Sequence, residues 1–286
     1  MRIAHCQFEP RSGEFDANLA RVEEGLQAAD RDRVEIVSFP ECFLTGYQDD
    51  AERARQHAFS LDSPQAMQVL DLTSRFDATL LVGFNEIRDD KLFNTVLVAH
   101  RGHLLGRYSK CAAYMKFHTQ GREFPVFERN TRDDGVVKFG VIICADGGYI
   151  EPARILAVKG ARVIFAPHYN FISASNLIAH FMHVRADHIA RAVENSVYFV
   201  RGNNVTVGEE QSIRGHAGVG YGDSYVIDPF GEIVARTQRH VEQILVCDIE
   251  PNAQRYNDHS WGVGKSIWSR QEFGDELDAA IREATK

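Results

Sequence analysis

The stretch from residue 136 to 146, Val136-Val137-Lys138-Phe139-Gly140-Val141-Ile142-Ile143-Cys144-Ala145-Asp146, limits what this chain can fold into more than any other. Its second half has no polar alternation, which is the pattern of a strand covered on both faces by other layers. A two-sided sheet needs helices or a second sheet on each face, so the chain must build a layered α/β structure. The strand is expected to run to Cys144. Gly147-Gly148 then turn the chain, and Glu151-Pro152 open a helix over 153–158 that closes at Gly160, with Pro and Gly at the two ends they favour. A thiol at this strand-to-helix junction lies near unpaired N–H groups and the positive end of a helix dipole, which favours thiolate. The competing reading is a small apolar core residue, the ordinary fate of a cysteine. Cys144 alone does not decide between them.

The flanking chain supports the layered arrangement. Strands are expected at 2–8, 34–39 and 161–166, and helices at 16–29, 64–76 and 173–194, from their apolar spacing. Residues 79–87, 92–99 and 103–108 form a meander, and 109–135 read as a long irregular connection, of the kind that usually carries function. A strand at 196–201 precedes a Gly-rich polar stretch, 203–222, and three short strands at 223–227, 232–236 and 243–249 close the core. Residues 251–286 read as a C-terminal tail, suited to subunit contacts, with a helix near 272–284. No stretch rich in Pro, Ser or charge separates parts of the chain, so 1–286 is expected to be a single domain. There is one internal echo: residues 34–41 and 161–168 both run strand, Pro, polar residue, in Phe39-Pro40-Glu41 and Ala166-Pro167-His168.

Several function classes drop out on composition. A net charge of −8, from 32 basic and 40 acidic residues, argues against a nucleic-acid groove. No apolar run approaches the length of a membrane span, and the N-terminus lacks the form of a signal peptide. Five cysteines with no paired spacing fit a reducing, cytoplasmic setting better than a disulfide framework. A zinc site built from Cys42, Cys111 and Cys144 lacks Cys-x-x-Cys spacing. His180, His183 and Asp187 share one helix face, but a solvated or subunit-facing surface is the simpler account.

Two polar residues give Cys144 a chemical context. Glu41 follows a buried strand and a proline, and Lys110 ends the strand 103–108; both stand at strand mouths, where α/β folds hold ligands. Taken singly, each is equally readable as a solvated strand end. Together, a thiol, an acid and an amine supply a nucleophile, its base and a cation for a tetrahedral oxyanion. Tyr47, His168 and Tyr169 also follow strand ends and are candidate pocket residues, with packing at the rim as the alternative.

The motifs around these residues resemble a known family. Phe39-Pro40-Glu41-Cys42-Phe43-Leu44-Thr45-Gly46-Tyr47, Gly106-Arg107-Tyr108-Ser109-Lys110 and Gly140-Val141-Ile142-Ile143-Cys144-Ala145-Asp146 are similar, in that order, to the glutamate, lysine and cysteine motifs of the nitrilase (carbon–nitrogen hydrolase) superfamily. Arg191-Ala192-Val193-Glu194-Asn195 and the stretch from Gly222 to Glu232 resemble two structural signatures of the same family, and the likeness spans about residues 1–250. The resemblance implies a four-layer αββα sandwich, no cofactor and no metal, and a homodimer or higher homo-oligomer. It also implies roles: Glu41 as general base and acid, Lys110 as oxyanion stabiliser, Cys144 as nucleophile and the Ala145 backbone N–H as a second oxyanion donor. The substrate would be a small linear amide or N-carbamoyl compound, because Cys144-Ala145-Asp146 follows the Cys-x-Asp form of amidases and carbamoyl hydrolases rather than the Cys-Trp-Glu form of nitrilases. The chain departs from the pattern between the lysine and cysteine motifs, where many members carry a second glutamate. If Gly121 takes the family's glycine position, Ala112 or Ala113 falls where that acid would be, and Glu123 is the nearest substitute. A nitrilase, or a silent binding protein of the same fold, are the remaining readings.

Overall fold

The computed structural model describes residues 1–206, 211–213, 216–253 and 271–284. Fourteen strands appear among them: β1 (Arg2–Gln7), β2 (Ile36–Ser38), β3 (Thr79–Arg88), β4 (Lys91–His100), β5 (His103–Ser109), β6 (Val126–Asn130), β7 (Val136–Val141), β8 (Val163–Pro167), β9 (Tyr198–Gly202), β10 (Gln211–Ile213), β11 (His216–Gly218), β12 (Tyr225–Ile227), β13 (Ile233–Arg236) and β14 (Gln243–Asp248). The helices are α1 (Phe15–Arg31), α2 (Ala51–His57), α3 (Pro64–Thr73), α4 (Ile150–Val158), α5 (Leu177–Asn195) and α6 (Gln271–Ala284), with 3₁₀ turns at Cys144–Gly148 and Ala174–Asn176. No helix among the described residues is long and apolar enough to cross a membrane.

The large strands form two six-stranded sheets, ordered β14-β1-β2-β3-β4-β5 and β13-β12-β9-β8-β7-β6. In each, three parallel strands (β1, β2, β3 and β7, β8, β9) are flanked by two antiparallel strands on one side and one on the other. The sheets therefore repeat one plan, and β2 and β8 hold the same place in it. That equivalence explains the echo between Phe39-Pro40-Glu41 and Ala166-Pro167-His168.

Burial shows why the strands read as continuous apolar runs. In the first sheet, successive residues point to opposite faces. Ile36, Leu81, Val96 and Val98 face the second sheet. Val37, Leu80, Val82, Leu97 and Ala99 pack under α1 and α3 with Val22, Leu26, Val69 and Leu72. The second sheet packs its other face under α4 and α5 through Ala153, Leu156 and Ala192. The order is helix, sheet, sheet, helix: an αββα sandwich.

Local differences from the sequence reading have simple causes. The strand leading to Cys144 pairs only to Val141, because Cys144 takes φ +48° and turns the chain. Part of 109–135 is not irregular: β6 alternates exposed and buried residues against β7. α2 is almost wholly polar and buries only Ala54, so it left no apolar period to read. Asp16 lies inside the first turn of α1 rather than capping it. Of the tail, 254–270 and 285–286 lie outside the described residues, and the expected C-terminal helix is α6.

Candidate active site

Four chain segments meet at one end of the sandwich, each leaving the C-terminal end of a strand. Glu41 follows β2, Lys110 follows β5, Cys144 follows β7, and His168-Tyr169-Asn170 follow β8. The two equivalent segments join directly, the Glu41 N–H donating to the His168 carbonyl at 3.2 Å. Gly83 on β3 makes room for this crossing: a Cβ there would lie 2.5 Å from the Cys42 backbone nitrogen and 3.1 Å from the Pro40 oxygen.

Glu41 is fully buried, and both its oxygens are engaged. Oε1 accepts from Lys110 Nζ at 2.7 Å and from Asn94 Nδ2 at 2.6 Å, while Oε2 accepts from the Tyr169 N–H at 2.8 Å. Lys110 is only 2% exposed. Burial works against its charge, but the Glu41 carboxylate outweighs it and holds the ammonium well above the usual lysine range. Asn94 ties both partners, since its backbone carbonyl also accepts the Lys110 N–H at 2.8 Å. A second clamp comes from Gly121, whose N–H donates to the Lys110 carbonyl at 2.8 Å; a Cβ there would fall 1.9 Å from the Ser109 oxygen.

The Cys144 thiol faces Glu41 and the backbone of Tyr169. It does not rest as the thiolate expected of a helix N-terminus. Burial first, then the Glu41 charge, push it up to about 12 against the pull of Lys110. The turn Cys144–Gly148 is one 3₁₀ coil, too short to offset that burial. The resting group is a thiol beside a carboxylate, an arrangement chemically able to pass the proton to Glu41 if the sulfur attacks.

Residues not singled out from the sequence hold this geometry. Asp146, wholly buried, accepts from the Tyr108 hydroxyl and the Ile143 N–H, each at 2.8 Å, from the Ala112 N–H at 2.7 Å, and from Cys111 Sγ at 3.2 Å. It thereby pins the turn carrying Cys144 to the segment carrying Lys110. Asn170 directs Nδ2 at Cys144 Sγ from 4.0 Å, and the buried Arg201 fixes its Oδ1 at 2.5 Å. One signal for Asn94 was available: with Thr95 it interrupts the apolar run of β4. Nothing in the pattern marks Asn170 or Arg201.

Cys144, Ala145 and Lys110 open onto a cavity of about 520 Å³. Tyr47, His168 and Tyr169 all line it, and the Tyr47 and Tyr169 rings stack at 4.6 Å and 4°. Burial holds His168 well below the usual histidine range; its Nδ1, 2.7 Å from the Ala166 carbonyl, must carry the proton because that partner only accepts. His180, His183 and Asp187, read from the sequence as a solvated or subunit-facing surface, line the cavity from α5, with the His183 side chain 78% exposed. Glu123 is a correction of the opposite kind: it is exposed and lines a separate cleft with Arg88, Arg107 and Arg122, so it does not replace a second acid beside Lys110. Cys42 and Cys111 bond to Asn85 and Asp146 instead of joining Cys144 as ligands. Among the described residues, no group of three or more His, Cys, Asp or Glu could hold a metal ion.

The fold has counterparts in known proteins. The amidase from Nesterenkonia sp. superposes with a TM-score of 0.68 at 20% identity, covering 91% of this chain and 95% of its own. A nitrilase from Pyrococcus abyssi is 28% identical over 87% of this chain and 90% of its own length, and an omega-amidase from Saccharomyces cerevisiae is 28% identical over 88% and 87%. The carbon-nitrogen hydrolase family model matches residues 2–257, nearly the whole chain, and the protein belongs to that family.

Proposed function

We propose that this carbon–nitrogen hydrolase is an amidase acting on small linear amides or N-carbamoyl compounds through a thioester on Cys144. One observation carries the reading: the buried Glu41–Lys110 pair, at 2.7 Å, faces the Cys144 thiol at the mouth of a cavity. The relatives add support, since an omega-amidase and an (R)-stereoselective amidase from Pseudomonas sp. each align over most of the chain. In a solved structure of the Nesterenkonia sp. AN1 amidase, acrylamide has added to the active-site cysteine.

The chemistry follows from the contacts. Glu41 takes the Sγ proton as sulfur attacks the amide carbon, and the oxygen of the tetrahedral adduct is met by Lys110 Nζ and the Ala145 backbone N–H. Glu41 then gives its proton to the leaving nitrogen, so ammonia or an amine departs and a thioester remains. Water deprotonated by Glu41 attacks that thioester, and the acid leaves with the thiol restored. Asn94 and the Tyr169 N–H keep the carboxylate in place through both half-reactions. No step needs a metal or cofactor.

Release of ammonia from a panel of amides, ureido compounds and nitriles tests the reading. Amide or carbamoyl turnover that disappears in Cys144→Ala is expected. Turnover of nitriles alone would make the protein a nitrilase, and silence across the panel would make it a binding protein of this fold. Self-association is part of the proposal. It is supported by exposed apolar side chains on α4 and α5, Ile150, Val158, Ile178 and Met182, and sedimentation equilibrium reads it out.

A further inference from the structure

The α5 wall of the cavity carries a charge that the hydrolytic chemistry does not use. Asp187 lines the same cavity as Cys144. A methyl placed on Gly148 would lie 3.7 Å from Asp187 Oδ2, so the carboxylate stands beside the far end of the turn that begins at Cys144. Four residues of 3₁₀ rise separate the two ends, about 8 Å along the turn. An acyl chain extending from Cys144 along that turn would bring its distal end to Asp187.

Among the described residues, no unpaired fixed cation lines the cavity to oppose that charge. Lys110, its one fixed cation among the described residues, is paired with Glu41 at 2.7 Å. Burial keeps three lining histidines neutral: His168 and His188 lie well below the usual range, and His180 falls to about 4. His183 stands 3.4 Å from Asp187 on the exposed side. The neighbouring arginines point elsewhere. Arg185, Arg236 and Arg239 converge on Asp223, and Arg201 bonds Asn170, Tyr221 and backbone carbonyls. A substrate carboxylate would meet Asp187 with no free fixed cation among the described residues, and desolvating it there is costly. A distal ammonium would meet Asp187 directly, in a cavity also lined by the rings of Tyr47, Tyr169 and Phe171.

We infer that the acyl pocket selects amides bearing a distal positive charge, an ω-amino amide or its carbamoyl equivalent, over those bearing a distal carboxylate, with Asp187 as the specificity-determining residue. The inference rests on the amidase reading, and the test separates the two. Three amides of matched length are compared: δ-aminovaleramide with a terminal ammonium, hexanamide with a methyl, and adipamate with a carboxylate. The full-length enzyme should hydrolyse them in that order, with kcat/KM for the ammonium at least about a hundredfold above that for the carboxylate. Asp187→Asn should shrink this ratio by about tenfold or more, and Asp187→Glu should restore most of it. Calorimetry on Cys144→Ala repeats the comparison without turnover, and δ-aminovaleramide should bind more tightly than adipamate. Adipamate binding or reacting as well as δ-aminovaleramide, or a ratio unmoved in Asp187→Asn, overturns the charge assignment. Binding in the expected order with no hydrolysis of any of the three keeps that assignment and overturns the amidase reading instead.

Discussion

At the residue scale, the pairing of Glu41 with Cys144 makes an unusual demand. Glu41 is among the groups that push the thiol up, so replacing it removes both the base and one cause of the thiol's low acidity. Glu41→Gln should lose hydrolysis by about a thousandfold or more, as general bases do. The same variant should alkylate faster with iodoacetamide at neutral pH, because Lys110 then acts on the thiol unopposed. In the native enzyme, with the thiol near 12, the alkylation rate should climb through the alkaline range with no plateau below about pH 9. Rates measured against pH for both proteins check the sign. A native thiol titrating near neutrality would contradict the assigned resting state.

At the scale of elements, the site depends on two short segments being held against one another. Asp146 receives donors from the Ile143 turn, from Tyr108 on β5 and from the Ala112 segment. Asp146→Asn puts an amide where only donors converge, leaving at least one of them unpaired. It should cost about 2–4 kcal/mol in denaturant unfolding and reduce kcat as the Lys110 segment shifts. Gly121→Ala sets a methyl against the Ser109 oxygen, so the end of β5 must move. Its activity should fall by about tenfold or more, since small misplacements of catalytic groups are expensive, and far-ultraviolet circular dichroism should stay native. This is also the scale at which the sequence was hardest to read. Glu41, Lys110 and Cys144 stood out only together, as an acid, an amine and a thiol at strand ends within motifs that resemble those of a known family. Asp146 showed only as a motif letter, and Asn94, Asn170 and Arg201 act through contacts 26 to 53 residues away in sequence, which no local period encodes. The stretch 109–123 escaped a register for the same reason: Gly121 is fixed by contact with Ser109, and Glu123 consequently falls outside the cavity.

At the scale of the whole molecule, the sandwich was legible because its strands are covered on both faces, and an unbroken apolar run such as 139–143 fits few architectures but a layered one. The repeat of one plan in two sheets was visible only as two proline breaks. The interior also contains polar groups that set its response to acid. His5, His118, His168, His180 and His188 are all lowered by burial, His5 to about 3 and His118 and His180 to about 4. In the unfolded chain each takes up a proton near pH 6.5, while the folded protein resists, so the unfolded state binds more protons as pH falls. Stability should be full above about pH 7 and should decline steeply between about pH 6.5 and 4. Thermal melts across that window should show it, with His5→Gln flattening the slope. His5 sits between the sheets, bonded to Ser38 at 2.9 Å, away from the catalytic cavity.

All of this chemistry turns on Cys144 carrying the acyl group. Acid quenching of the enzyme during turnover of a short aliphatic amide, followed by peptide mass mapping, puts that to the test. The acyl mass should appear on the peptide containing Cys144, with no adduct and no turnover in Cys144→Ala. An adduct on another residue, or full ammonia release by Cys144→Ala, would rule the thioester route out.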